Sequence, residues 1–359
     1  MTALILPLTT TALTIVPTFD TTITSDPNAA AIEATINSAI AVYEADFSDP
    51  ITVNFTFKEV TTGLASSLTR TVSVSYSAYL TALTAHAASI DDAVALAHLP
   101  GGANNPVNGN SQVTLKDPLA RALGFSANPG GPDSTVSLNI SIMNITSSNP
   151  NTNKYSLFSA VSHEMDEGLA FGGGLNGLTN GAPAPTGNVV QPMDLLRYDQ
   201  NGNRSWTTAF SASAFCSLDG VTDLVQFNQN QGGDFEDWYS SPVFPRNQVY
   251  PAPEVQDAYA TPDTFPVLGV ELRVLDAIGL TYNSGYQAAP VWVNFNYSGT
   301  QNGTYQNPYE TLSQGASAVA SGGTVAINAT VQASHSAQTL TISKAMTIIS
   351  VNGPSTIGQ

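Results

Sequence analysis

Apolar residues recur at Ile32, Ile36, Ile40, Tyr43 and Phe47. This spacing predicts an amphipathic helix over 26–47, with Asp26 as its cap and Pro27 in its first turn. Ile51-Thr-Val-Asn-Phe-Thr-Phe57 then alternates with period two, the mark of a half-buried strand. Residues 75–87 and 89–98 read as two further helices, the second entered through Ser89-Ile-Asp-Asp92. After a Gly/Asn/Pro loop at 100–110, Thr135-Val-Ser-Leu-Asn-Ile-Ser-Ile142 alternates as another strand, and a helix follows over 155–170. Turn residues dominate 172–262. A closing helix at 267–280 carries Val270, Leu272, Val274, Leu275 and Ile278 before Gly279. Beyond Tyr282 the chain turns to Gly, Ser, Thr and Asn, with short strands expected at 323–327, 338–342 and 346–350. That shift predicts a boundary near 285–290, hence one unit over 1–285 and a second over 286–359.

Charge narrows the possible partners. The 27 acidic residues against 10 basic ones give a net charge of −17, which repels phosphate backbones and excludes a nucleic-acid partner. The single cysteine, Cys216, rules out a disulfide framework and multi-cysteine metal clusters, and reads as a small buried residue. Only 10% of residues are charged, and with lysine sparse this composition suggests an exported bacterial protein, secreted or at the cell surface, acting as a monomer. No apolar run of about 18 residues predicts a membrane span. Residues 3–16 are apolar, but Pro7 interrupts them and no Lys or Arg precedes them. A secretory leader has therefore been removed, or the chain is a fragment.

The strongest chemical signal is Ser162-His163-Glu164-Met165-Asp166-Glu167, inside the helix expected at 155–170. His163 and Glu167, four residues apart, share one helix face. Glu164 stands where a general base would sit beside the first ligand. This is the spacing of the zinc-peptidase motif HExxH with Glu in place of the second His. The same residues could also form a solvated acidic turn. His163 is the only His between residues 99 and 334, and Phe171-Gly-Gly-Gly174 follows as a turn able to reverse the chain.

Further blocks follow in order: Asp194-Leu-Leu-Arg-Tyr198, Ser217-Leu-Asp-Gly220, Gly232-Gly-Asp-Phe-Glu-Asp-Trp238, Gln256-Asp-Ala258 and Gly269-Val-Glu-Leu-Arg-Val-Leu-Asp-Ala-Ile-Gly279. With the helix motif and Pro17-Thr-Phe-Asp20, they resemble a family of exported bacterial zincin-like metalloproteases over roughly 14–282. Gly168 and Glu236 depart from that family's pattern. The resemblance implies an α+β zincin-like domain and a zinc-dependent endopeptidase acting on protein or peptide substrates. The alternative is a non-catalytic extracellular adhesion module with a relic metal site.

On this reading His163 and Glu167 are metal ligands and Glu164 is the general base. Asp194, heading the block that resembles the family's D-L-F-R-Y, is the expected third ligand, with Asp219, Asp234 and Asp237 as alternatives. Arg197 and Tyr198 are candidates to stabilise an oxyanion, against the plainer reading of an ion pair and a core ring. Asp199-Gln-Asn-Gly-Asn203 and the Asp234/Glu236/Asp237 cluster are candidate structural Ca2+ sites, against an ordinary turn and a solvated loop. Downstream, Asn302-Gly-Thr-Tyr-Gln-Asn-Pro-Tyr-Glu-Thr-Leu312 and Ser321-Gly-Gly-Thr-Val-Ala-Ile327 resemble the opening of a pectate-lyase-like right-handed parallel β-helix. The expected fold is therefore a zincin-like domain followed by an incomplete, truncated β-helix.

Overall fold

Val53, Phe55 and Phe57 are buried while Thr52 and Asn54 face outward, so the period-two alternation does make a strand with one face in the core. The computed structural model describes residues 12–127, 130–175, 189–240, 253–283, 290–305, 307–329 and 334–358. The expected boundary at 285–290 falls largely outside them, and residues 3–11 lie outside them altogether. Elements run in the order β1 (Thr14–Phe19), α1 (Thr21–Thr24), α2 (Ala29–Asp46), β2 (Thr52–Glu59) and β3 (Ala65–Thr69). Helix α2 buries Ile32, Ile36, Ala39, Ile40 and Tyr43, the stripe read from sequence, but it starts later than expected. Asn28 is its N-cap residue, and Asp26 instead accepts from the Asn28 amide at 2.6 Å in the turn before it.

Next come β4 (Thr71–Ser75), α3 (Tyr76–His86), α4 (Ile90–His98), β5 (Gln112–Lys116), α5 (Asp117–Ala122) and β6 (Ser134–Leu138). Ser89 and Asp92 form a reciprocal capping box at α4. The strand expected over 135–142 ends at Leu138 and passes into a 3-10 turn at Ile140–Ile142. The main sheet has the order β1-β2-β6-β3, with β1, β2 and β6 parallel and β3 antiparallel to β6 at one edge. After β7 (Met143–Asn144) and β8 (Tyr155–Ser156), α6 (Leu157–Leu169) is capped by Ser156 and packs on β3, β6 and α2.

Gly168 permits that packing. A Cβ there would lie 2.2 and 2.5 Å from ring atoms of Phe55, which is fully buried. Alanine ordinarily favours a helix over glycine by about 1 kcal/mol. Overpacking a filled core costs about 1–3 kcal/mol or more, so the clash outweighs the propensity gain. Gly168→Ala is therefore expected to lower the thermal midpoint, measurable by scanning calorimetry.

The remaining elements are β9 (Arg197–Tyr198), β10 (Phe215–Ser217), β11 (Asp223–Gln226), α7 (Val270–Ala277), β12 (Val291–Val293), α8 (Leu312–Ala318), β13 (Thr324–Asn328), β14 (Ser334–Ser336), β15 (Thr347–Val351) and β16 (Ser355–Ile357). They correct the expected architecture. Strands β12, β13 and β15 form a parallel three-stranded sheet and β14 pairs with β16, yet every sheet among the described residues is open. No right-handed β-helix forms among the described residues, and the fold is α+β with several small open sheets. The physical reason lies in what covers the strands. Val293, Val325 and Ile327 pack with Leu312 of α8 and Val319 just after it, while Trp292, Ala326 and Val351 pack against Ala93 of α4. Trp292 also donates from Nε1 to the Ala88 carbonyl at 3.1 Å. The expected strand at 338–342 does not form either, and Ile342 stays 48% exposed.

One polar latch joins three chain segments. His86 Nε2 lies 3.0 Å from Asp49 Oδ1 and 2.8 Å from Thr281 Oγ1, and Asp49 Oδ2 accepts from the Thr281 amide at 2.8 Å. The hydrogen bond to Asp49 raises the His86 pKa against the opposing effect of burial, with Asp92 adding to the pull. A raised folded-state value means stability fully present below the unfolded pKa of about 6.5 and lost as pH rises through the folded value. Thermal midpoints measured from pH 5.5 to 8.5 should fall across that window in the wild type. Asp49→Asn should flatten this component.

Candidate metal centre

Helix α6 places His163, Glu164 and Glu167 along a cleft of about 410 Å³, walled on one side by Leu64 to Ser67 and on the other by residues 253–266. Two local devices fix the helix there. Tyr43 Oη donates to the Ser162 carbonyl at 2.7 Å, and Gln256 Nε2 donates to the His163 carbonyl at 2.9 Å and to Asp166 Oδ2 at 3.1 Å.

The His163 ring is oriented by the backbone. Its Nδ1 lies 2.9 Å from the Val255 carbonyl oxygen, which can only accept, so Nδ1 carries a proton and donates. Nε2 then faces two carboxylate oxygens, Glu167 Oε1 and Asp237 Oδ2, each at 3.8 Å. One ligand atom from each of these three residues lies within 4.8 Å of the others. Donors bonded at about 2.1 Å around a tetrahedral ion sit roughly 3.4 Å apart, so a small closure would bring this set to an ion. Ser67 Oγ donates to Glu167 Oε2 at 2.5 Å, and this contact with β3 orients the carboxylate. The arrangement is a buried His/Glu/Asp cluster able to chelate a metal ion.

Electrostatics agree. Burial pushes the Glu164 and Asp237 carboxyls well above their usual range, and Glu167 pushes both further. Burial disfavours a charged His163, but Glu164 and Glu167 outweigh it, so its pKa is raised. Lys116, whose ammonium donates to the Phe171 carbonyl, is pulled down by burial and held up in part by Glu167 and Glu164. Acids that resist ionising beside a histidine that favours its proton mark a place that demands positive charge. Glu164 Oε2 is buried without a hydrogen-bond partner.

The structure brings Asp237, not Asp194, beside His163 and Glu167. Asp194 is buried elsewhere, its Oδ2 accepting from the Gly174 and Gln191 amides at 2.8 Å each. Asp219 closes a turn by accepting from Val221 and Thr222. Asp234 lines the same cleft without joining the chelating set. Arg197 and Tyr198 do not line the cleft. Arg197 is buried, donating to the Phe235 carbonyl and Gln229 Oε1 beside the Phe227 ring, and Tyr198 packs under Arg204. The candidate calcium loop at 199–203 closes on itself, Asp199 Oδ1 accepting from the Asn201 and Asn203 amides. Glu236 turns away from Asp237 to accept from the Leu175 amide. Cys216 is free and buried, as expected. Among the described residues no helix is long and apolar enough to cross a membrane.

Sequence reasoning missed the Val255 carbonyl and the Ser67 hydroxyl, and no motif spacing could have revealed either. Comparison with protein-family models, with curated proteins and with solved structures found no match. The resemblance to zincin-like metalloproteases, and that to pectate-lyase-like β-helices, is therefore corrected, because no family model supports the blocks that carried it.

Proposed function

We propose that this chain is a metal-dependent endopeptidase in which His163, Glu167 and Asp237 hold a zinc ion and Glu164 is the general base. One observation carries the reading: His163 Nε2 faces two carboxylates at 3.8 Å while its Nδ1 is committed to the Val255 carbonyl, and Glu164 Oε2 stands unpartnered in the same cleft. One imidazole and two carboxylates suit zinc and also admit harder ions such as manganese. A divalent ion there supplies Lewis acidity toward a carbonyl. Glu164 takes the proton of the attacking water and returns it to the departing amine.

A peptide substrate is favoured by the wall of the cleft. Among the described residues strand β3 is one edge of the main sheet, and an edge strand offers unpaired backbone groups to an extended chain. The low-charge, acidic composition supports action outside the cell. Purified protein should hold about one zinc per chain by elemental analysis and cleave casein, with cleavage lost to a chelator and restored by zinc. Protein that binds no divalent metal and leaves casein intact would overturn the reading.

A further inference from the structure

The metal ligands account for only part of the negative charge around the cleft. Asp234 and Glu254 also line it, and neither is a chelating residue. Among the described residues that line the cleft there is no lysine or arginine, and Lys116, just outside the lining, offsets only part of the charge on Asp234. Neither Asp234 nor Glu254 makes an ion pair with a described residue, and Glu254 Oε2 is buried with no hydrogen bond at all. A second wall atom, Thr261 Oγ1, is likewise buried and unpartnered. The same cleft is lined by Glu164, whose Oε2 is unpartnered on a residue only 4% exposed.

Buried polar atoms without partners are rare in folded proteins, because each forfeits its hydration for nothing. Several around one cavity are most economically explained by a ligand that supplies the missing donors. Glu254 can only accept when ionised, so its complement is a donor carrying positive charge. The lining mixes these polar groups with apolar side chains, Leu64, Ala160, Val255 and Ala258 among them. An aliphatic stem ending in a cation matches such a surface. Lysine and arginine side chains have that form, and their charge-assisted hydrogen bonds are the strong kind.

We propose that the cleft selects peptides bearing a lysine or arginine side chain beside the bond to be cut, with Glu254 receiving the cationic tip and Asp234 adding to the attracting field. The inference rests on the peptidase reading of the same cleft, so its test needs a binding arm as well as a cleavage arm. In the first arm, wild-type protein digests a peptide library and the cut sites are sequenced. A basic residue should be enriched about tenfold at one position flanking the cut, and Glu254→Gln should remove most of that enrichment. In the second arm, zinc-loaded Glu164→Gln protein binds fluorescent peptides taken from that library, each carrying one lysine or its acetylated form. Acetylation should weaken binding about tenfold, and added salt should narrow the gap.

Acetylation removes the charge without altering the protein, so this comparison stands even if Glu254→Gln fails to fold. Cleavage with no basic preference, or a preference that Glu254→Gln leaves intact, overturns the specificity and spares the peptidase. Lysine-selective binding without cleavage by the wild type overturns the peptidase and keeps the cationic site. Binding indifferent to acetylation, with no cleavage, overturns both.

Discussion

Asp237→Asn should weaken zinc binding by more than about a hundredfold, with the protein still folded. Losing an outer-shell partner of a metal ligand already costs about 10–100-fold in affinity, and Asp237 is placed to be a ligand itself. Its Oδ2 is 3.8 Å from His163 Nε2, and the residue is only 5% exposed, so no other described carboxylate joins the chelating set in its stead. Asparagine keeps the volume and removes the charge. Competition against a chromophoric chelator reads the affinity, and a thermal melt of the ion-free protein reads the fold. Asp194→Asn is the informative contrast. Its carboxylate holds the Gly174 and Gln191 amides, so the variant should lose stability and keep its zinc. The opposite outcome, zinc lost with Asp194 and retained without Asp237, would place the third ligand at Asp194.

Glu164→Gln should lower kcat by about 10²–10⁴-fold, the usual worth of a positioned general base, while leaving zinc stoichiometry near that of the wild type. Glutamine fills the same space on the same helix turn, so packing around this nearly buried side chain is preserved. What it cannot do is take a proton. The paired measurement matters, because activity lost together with metal would show only a damaged site. Activity kept in the variant would remove Glu164 from the chemistry altogether.

Much of the scaffold was legible because it rests on short-range periodicity. The stripe from Ile32 to Tyr43 and the alternation from Val53 to Phe57 each name one buried face, and that face meets the core. The pair His163/Glu167 was legible for the same reason, since four residues make roughly one helix turn. Asp237 was legible only as one of three alternatives to Asp194, because no local rule ties its position to α6, and its place depends on a strip of backbone at 254–258. The segments read as family blocks proved to have local work to do. Ser217 Oγ accepts from the Gly220 amide to close a turn, and Asp194 caps backbone amides. Turn chemistry of this kind recurs in unrelated proteins and gives short stretches a misleading likeness. The β-helix reading failed on a different point. The unbroken apolar run Val325, Ala326 and Ile327 reports that a strand is buried on both faces, and is silent on whether another coil or helix α4 does the burying.

The strip at 254–258 does more than wall the cleft. Val255 holds the His163 ring, Gln256 holds the His163 backbone, the Trp238 amide donates to the Gln256 carbonyl at 2.8 Å, and the Ala258 amide donates to the Trp238 carbonyl at 3.0 Å. Trp238 is the residue after Asp237, so one bracket of protein hydrogen bonds ties the His163 turn of α6 to the segment that carries Asp237. In a zinc finger the ion assembles its own ligands, and binding it is the same event as folding. Here the ligand spacing is set by amides and carbonyls that owe nothing to an ion, so little conformational entropy is left to lose when one arrives. On the proposed reading, loading and stripping of metal would be reversible exchanges on a standing scaffold, and a protein emptied by a chelator would not have to refold before binding again.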